Sequence, residues 1–219
     1  MLVEVWSDIV CPWCYIGKRR LERALATFPR RDEVEVRLRS FELDPSPTAD
    51  TGETLERMLA EKYRVSLDQA RGMNDRVTML AAEEGLGFRL DIARPGNTFD
   101  AHRLAHHARA LGLEAELMER LQAAYFCEGA PVGDHETLLR LAGEVGIDRA
   151  SAREVLQSER FADDVRGEET LASRLGIRGV PFFVLDRRLG VSGAQDAGTL
   201  RDALDQAFAS LTADAAATH

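Results

Sequence analysis

Leu2, Val3, Val5 and Trp6 form a short apolar run that predicts a buried strand. Just beyond it, Ile16, Leu21, Leu25 and Phe28 recur at helical spacing through residues 15–28, interleaved with basic Lys18, Arg19 and Arg20. Residues 33–43 alternate for part of their length. They predict a second strand with Val34, Val36 and Leu38 on one face, stopped by Asp44-Pro45-Ser46-Pro47. From residue 51 to about 161 strand signals fade and helix signals multiply. Leu55, Met58, Leu59 and Tyr63 share a helical face. Ser66-Leu67-Asp68-Gln69 is a capping box opening a helix that carries Ala70, Met73, Val77 and Leu80 and closes at Gly85. After a turn at Arg94-Pro95-Gly96, Asn97 or Thr98 caps a helix through Leu111, stopped by Gly112. Further helices are expected over residues 113–126, behind Asp134, and from about Ser151.

Helix returns from about residue 161 to 175, with Gly176 as its stop. Val180-Pro181-Phe182-Phe183-Val184-Leu185 and Leu189-Gly190-Val191-Ser192-Gly193 read as a hairpin around a turn at residues 186–188. A last helix covers about residues 196–211, and the small, polar tail is expected to fray. This order fits an α/β fold with one mixed four-stranded sheet. The first two strands would be parallel, through a right-handed crossover, and the hairpin antiparallel. Residues 1–45 and 162–211 would build the sheet domain, residues 46–161 a large all-helical insertion, and residues 212–219 a flexible tail.

With 219 residues, 45% of them hydrophobic, the chain can bury a sizeable core. A net charge of −9 argues against nucleic acid or an anionic membrane as partner. No apolar run approaches the roughly 20 residues of a membrane span. No basic segment followed by an apolar one opens the chain, so a cytoplasmic location is expected. Three cysteines, an odd number, do not make a disulfide scaffold.

The chemistry concentrates where the first strand meets the first helix, at Cys11-Pro12-Trp13-Cys14. In an α/β chain this placement is a dithiol redox signal. Cys11 would be the N-cap and Pro12 the first helical residue, where a missing N–H costs nothing. The Cys11 sulfur would face unpaired backbone N–H groups and the positive end of the helix dipole, and both favour the nucleophilic thiolate. Cys14, one turn further in, would be more deeply buried. Cys11 should therefore attack and Cys14 resolve. A bond between them closes too small a loop to restrain the unfolded chain much, so stapling explains it poorly. Zinc needs about four ligands, and Cys127 is the sole further cysteine. His102 and His106 share a helix face but lack an evident third ligand, so no metal site is expected. Cys127 itself reads as a small buried apolar residue, with a shuttling thiol as the alternative. Gly179-Val180-Pro181-Phe182 opens the third strand, where proline is tolerated. A cis bond before Pro181 would turn the Val180 backbone toward Cys11, where it could hold a substrate as an added strand.

Together these residues resemble the thioredoxin-fold oxidoreductases of the DsbA group. Ser7-Asp8-x-x-Cys11-Pro12-Trp13-Cys14-Tyr15-Ile16-Gly17, Asn97-Thr98-x-x-Ala101-His102-Arg103 and Ser192-Gly193-Ala194-Gln195 resemble the FrnE-like branch. The resemblance spans residues 2–211. It implies a thioredoxin-like fold and thiol–disulfide exchange with protein or small-molecule disulfides. It also implies a cis bond at Pro181 and no organic cofactor or metal. Thiol- or disulfide-bearing proteins, glutathione or thioredoxin would be the partners, glutathione serving as co-substrate. Trp13 replaces the histidine of the strongly oxidising periplasmic members, which implies a weaker oxidant. Val5 stands where related proteins keep a buried acid, which leaves Asp8 and Glu4 as neighbouring carboxylates. With serine at Cys11, the same fold resembles kappa-class glutathione transferases and hydroxychromene carboxylate isomerases. A glutathione-dependent isomerase or transferase is therefore the alternative, with a chaperone-like binder as a third reading. Asn97, His102 and Gln195 are candidate substrate-groove residues; simple capping and turn roles compete for Asn97 and Gln195.

Overall fold

Alternation along the first strand settles the architecture. The computed structural model describes residues 1–46 and 53–217, with side chains as far as Leu211. Strand β1 (Leu2–Ser7) lies inside a four-stranded sheet of order β2-β1-β3-β4, with β2 (Glu35–Ser40), β3 (Phe182–Leu185) and β4 (Leu189–Ser192). β1 pairs parallel with β2 and antiparallel with β3, and β3 pairs antiparallel with β4. Val3 and Val5 stand opposite Leu185 and Phe183. Their shared face packs on α1 (Pro12–Ala26) and α9 (Ala197–Ala217) through Leu21, Leu25, Leu200 and Leu204. Glu4 and Trp6 point to the other face, where Trp6 and Val184 meet Ala172 of α8 (Ala162–Arg174).

Among the described residues six helices separate β2 from α8: α2 (Leu55–Tyr63), α3 (Leu67–Glu83), α4 (Phe99–Ala110), α5 (Glu114–Glu128), α6 (His135–Glu144) and α7 (Arg149–Leu156). Their boundaries follow local chemistry. Ser66 and Gln69 complete the capping box of α3, Asp134 and Asp148 cap α6 and α7, and Gly129 closes α5 in the left-handed conformation. The block does not have a core of its own. Ile9, Tyr15 and Ile16 share one apolar cluster with Leu104, Leu121, Phe126 and Leu141, so the start of α1 is packed into the helices. Among the described residues no helix is long and apolar enough to cross a membrane.

Three expectations need correction. The second strand is shorter than residues 33–43, and Val36 is exposed although Val34 is buried. β2 is a sheet edge, and the apolar cluster on that face reaches only Val34 and Leu38. The last helix runs to Ala217, past its expected end near residue 211; this stretch is alanine-rich, and alanine is the best helix former. β3 begins at Phe182, because Pro181 has no N–H for the ladder. The stop at Pro47 and the start of the helical region at Thr51 lie outside the described residues, as do residues 218–219.

A buried ion network ties the helices to the second sheet face. Glu4, fully buried, receives Arg39 at 2.5 Å and Arg187 at 2.9 Å. Arg39 also reaches Glu168 of α8 at 2.7 Å, and Glu168 accepts the Ser40 N–H at 2.6 Å and Arg109 at 3.1 Å. His106 sits 3.3 Å from Glu168 and 3.1 Å from Ser40 Oγ. Burial pushes the Glu168 carboxyl up, but His106, the Ser40 N–H, Arg39 and Arg109 outweigh it and hold the group well below the carboxylate range.

Candidate active site

The turn between β1 and α1 presents two thiols at a helix start. Cys11 is the N-cap in extended conformation and Pro12 occupies the first turn. The Cys11 N–H donates to Asp8 O at 3.3 Å, and Cys11 O accepts the Cys14 N–H at 3.0 Å. Both cysteines are free thiols. The Cys11 side chain makes no cap hydrogen bond to the helix. Instead its sulfur donates to the Val180 carbonyl at 3.5 Å. The Val180–Pro181 bond is cis.

Burial does not separate the two sulfurs as expected: Cys11 and Cys14 are each 2% exposed. What distinguishes them is the space each meets. Cys11 lines a cavity of about 530 Å³ together with Pro12, Trp13, Val180 and residues of α2, α3 and α5, whereas Cys14 does not. Trp13 stands at its edge, 39% exposed. Burial raises the Cys14 pKa well above the usual thiol value, and the neighbouring Cys11 sulfur raises it further. The Asp8 N–H and the Ser7 hydroxyl pull it back in part.

α1 can approach this closely because residue 17 is glycine. A Cβ built at Gly17 would stand 3.0 Å from Pro181 Cγ and 3.3 Å from Phe183 Cζ. Alanine there would gain up to about 1 kcal/mol of helix propensity, but overpacking costs about 1–3 kcal/mol. Gly17→Val, bulkier still, is expected to lower the melting temperature and to change the alkylation rate of Cys11. Thermal denaturation and iodoacetamide kinetics measure the two effects.

The buried acids behave differently from one another. Val5 is buried and supplies no carboxylate, and Glu4 is committed to Arg39 and Arg187. Asp8, 1% exposed, uses Oδ2 to accept the Leu43 N–H at 2.8 Å. Its Oδ1 makes no hydrogen bond and lies 3.5 Å from His102 Nε2, which is equally unpartnered. Tyr125 stands near: burial and then the Asp8 charge push its hydroxyl upward.

Of the three groove candidates, only Asn97 meets the cavity. Its Nδ2 donates to Glu42 and to the Ser46 carbonyl, both at 3.1 Å, while Oδ1 accepts the Phe99 N–H at 2.8 Å and so opens α4. His102 is 2% exposed and faces Asp8 behind the wall, so it does not line the groove. Gln195 is exposed, bonds the Ser192 carbonyl at 2.9 Å, and closes its own turn away from the cavity. His107 bonds Ser151 at 3.2 Å, so the three histidines of α4 face different neighbours. Cys127 is half-buried at the end of α5, where burial pushes its thiol up, and it does not reach the cavity. Sequence reasoning missed Asn74, which lines the cavity with its Nδ2 buried and unpartnered. No local pattern marks it.

Comparison with known proteins places the fold among solved structures. A probable DsbA oxidoreductase, SCO1869 from Streptomyces coelicolor, is similar at 47% identity. The match covers 95% of this chain and 90% of that one, with a TM-score of 0.92. The cytosolic disulfide reductase DsbM from Pseudomonas aeruginosa, solved with GSH, shares the fold at 23% identity, covering 98% of each chain with a TM-score of 0.60. A 2-hydroxychromene-2-carboxylate isomerase shares it at 17% identity, covering 98% of each chain with a TM-score of 0.71. The model of the DSBA-like thioredoxin domain matches residues 2–205, nearly the whole fold, and the chain belongs to that family.

Proposed function

We propose that the chain is a thiol–disulfide oxidoreductase in which Cys11 attacks and Cys14 resolves, within the FrnE-like branch of its family. The observation that carries this reading is the stacking of two free thiols at one helix start, with only the first facing a cavity. The Cys11 thiolate attacks a substrate disulfide and forms a mixed disulfide, and the departing thiolate takes up the proton that Cys11 released. Cys14 then attacks the Cys11 sulfur, frees the second thiol and closes the internal disulfide. The electrons reside on the two sulfurs, so the reaction needs no further cofactor. A thiol such as glutathione, or a thioredoxin-like dithiol, would return the protein to its reduced form.

Proton handling follows from the same geometry. Once Cys11 is in a mixed disulfide, its contribution to raising the Cys14 pKa is gone. Burial remains, opposed by the Asp8 N–H and the Ser7 hydroxyl. Asp8, whose backbone N–H reaches the Cys14 sulfur and whose carboxylate faces His102, is the group we assign to receive the Cys14 proton. Asp8→Asn is expected to slow resolution of the mixed disulfide by about 10²-fold and to alter its pH profile, the scale of a lost general base. Stopped-flow quench across pH 6–9 reads the step directly, and an unchanged profile would count against the assignment.

The test of the whole reading is a trap. Cys14→Ser, mixed with a small disulfide, should accumulate a covalent adduct at Cys11 that intact-mass spectrometry detects. An adduct confined to Cys127, or none, would refute it. The isomerase alternative would leave Cys14→Ser fully active with glutathione, whereas the exchange reading predicts loss of turnover.

A further inference from the structure

Asp8 and His102 meet behind the two thiols, away from the surface. Asp8 stands in the turn between β1 and α1 and is 1% exposed; His102, on α4, is 2% exposed. Asp8 Oδ1 and His102 Nε2 lie 3.5 Å apart, and neither makes a hydrogen bond. Buried polar atoms are nearly always paired, and those that are not call for an explanation. His106, one turn further along the same helix, shows the contrast. It bonds Ser40 Oγ at 3.1 Å and sits 3.3 Å from Glu168, whose charge Arg39 and Arg109 offset. Among the described residues no arginine or lysine pairs with Asp8, and His102 is the basic group set against its charge.

The surrounding bonds hold these side chains face to face. The His102 N–H donates to the Thr98 carbonyl at 2.9 Å, and Arg103 beside it donates to the Arg160 carbonyl at 2.9 Å, which fixes the rotation of α4. Asp8 is held by the Leu43 N–H on Oδ2 at 2.8 Å and by the Cys11 N–H on its carbonyl at 3.3 Å. Three further titratable groups border the pair. The Cys14 sulfur, on α1, takes the Asp8 N–H. Tyr125, on α5, stands within reach of the Asp8 charge. Glu42, beyond β2, lies within electrostatic reach of His102, but it is committed to Asn97 and Arg166, with Glu169 of α8 beside it.

We propose that His102 is a positioning residue for the second exchange step: acting through Asp8, it completes one buried acceptor that takes up and returns the Cys14 proton. The inference rests on the thiol–disulfide reading and the assignment of Asp8 above, and adds the partner of that carboxylate. The pair begins as a carboxylate and a neutral imidazole and takes up a single proton, which either member can hold. As the Cys14 sulfur bonds the Cys11 sulfur of the mixed disulfide, the Cys14 proton passes to Asp8. The second R–S⁻ leaves and takes a proton from solvent. The substrate has then gained two electrons as two thiols, and the protein has lost two as the Cys11–Cys14 disulfide. A dithiol reductant, releasing its proton to solvent, reopens that disulfide. Cys14 departs as a thiolate and recovers the stored proton.

The test is His102→Gln, which keeps a donor for Asp8 but cannot bind a proton. The reduced full chain is mixed with hydroxyethyl disulfide, quenched at intervals and weighed, so that formation of the Cys11 mixed disulfide and its resolution are read separately. Across about pH 5 to 9, the unaltered protein should show an inflection in the resolution rate as the pair empties. His102→Gln should lose that inflection, and its ratio of resolution to formation rates should fall by about tenfold, less than the loss expected of the base itself. A purely structural histidine would leave the shape of the profile intact. Should the variant fail to fold, the unaltered protein decides: the imidazole Cε1–Hε1 resonance of His102 should titrate at the pH of the inflection. A resonance that does not follow the inflection would overturn the proposal. An inflection kept in His102→Gln but lost in Asp8→Asn would also overturn it, and would leave Asp8 as the acceptor. An inflection kept in both variants would overturn the assignment of Asp8 as well. Absence of any mixed disulfide at Cys11 would overturn the exchange reading itself, and the proposal with it.

Discussion

Cys11→Ser is expected to lose disulfide exchange by on the order of 10³-fold or more, as when an enzyme loses a nucleophile that acts as a unit with its partner. A hydroxyl at this position stays protonated near neutral pH and cannot displace a thiolate. Cys14 cannot substitute for it, because its sulfur does not meet the cavity and burial holds its pKa high. The fold should survive, since the Cys11 side chain donates one long bond, to the Val180 carbonyl at 3.5 Å, and its backbone bonds do not depend on the sulfur. The measurement pairs a small-disulfide turnover assay with a melting curve. Loss of activity at an unchanged melting temperature is the expected result. A double variant, Cys11→Ser with Cys14→Ser, that still suppressed aggregation of an unfolded client would favour the chaperone-like reading instead.

Glu168→Gln should bring the largest loss of stability. Glu168 joins Arg39, Arg109, His106 and the Ser40 N–H beneath the sheet. Neutralising it leaves buried cations short of a partner, a change that costs about 3–5 kcal/mol. For a chain of this size that corresponds to about 6–20 °C in melting temperature. An exposed pair such as Arg160–Glu154 supplies the control and should shift stability by under about 1 kcal/mol. The same group sets an acid limit. Its folded pKa lies below its unfolded value of about 4.3, so its stabilisation is present above that pH. It is lost as pH falls through the folded pKa. Melting curves between pH 7 and pH 3 should therefore show a decline below about pH 4.3 that Glu168→Gln lacks.

Legibility followed the range of the interactions. The helix start at Cys11-Pro12, the capping box at Ser66, the glycine stops and the hairpin all rest on neighbours within a few residues, and the sequence pattern revealed them. The strand pairing followed from the order of elements and the alternation of Val3 and Val5. The ion network was invisible, because Arg39 and Glu168 meet across 129 residues and each reads alone as a surface charge. His102 and Gln195 were misplaced for a related reason. A motif fixes where a residue sits along the chain, but packing of α4 against Asp8 turned His102 inward, and the turn after β4 consumed Gln195. Val36 shares a face with buried Val34 yet is exposed, because alternation marks a face without saying what covers it. Asn74 carries no signal at all in the sequence, since only the packing of the helices leaves its amide buried without a partner.

The most direct measurement is peptide mapping under non-reducing conditions after the full chain is treated with one equivalent of a mild oxidant. The account predicts one dominant product, a peptide short of two hydrogens in which the sulfurs of Cys11 and Cys14 are joined, with Cys127 still alkylatable. Recovery of both as separate thiols, or their appearance mainly in links to Cys127, would contradict it.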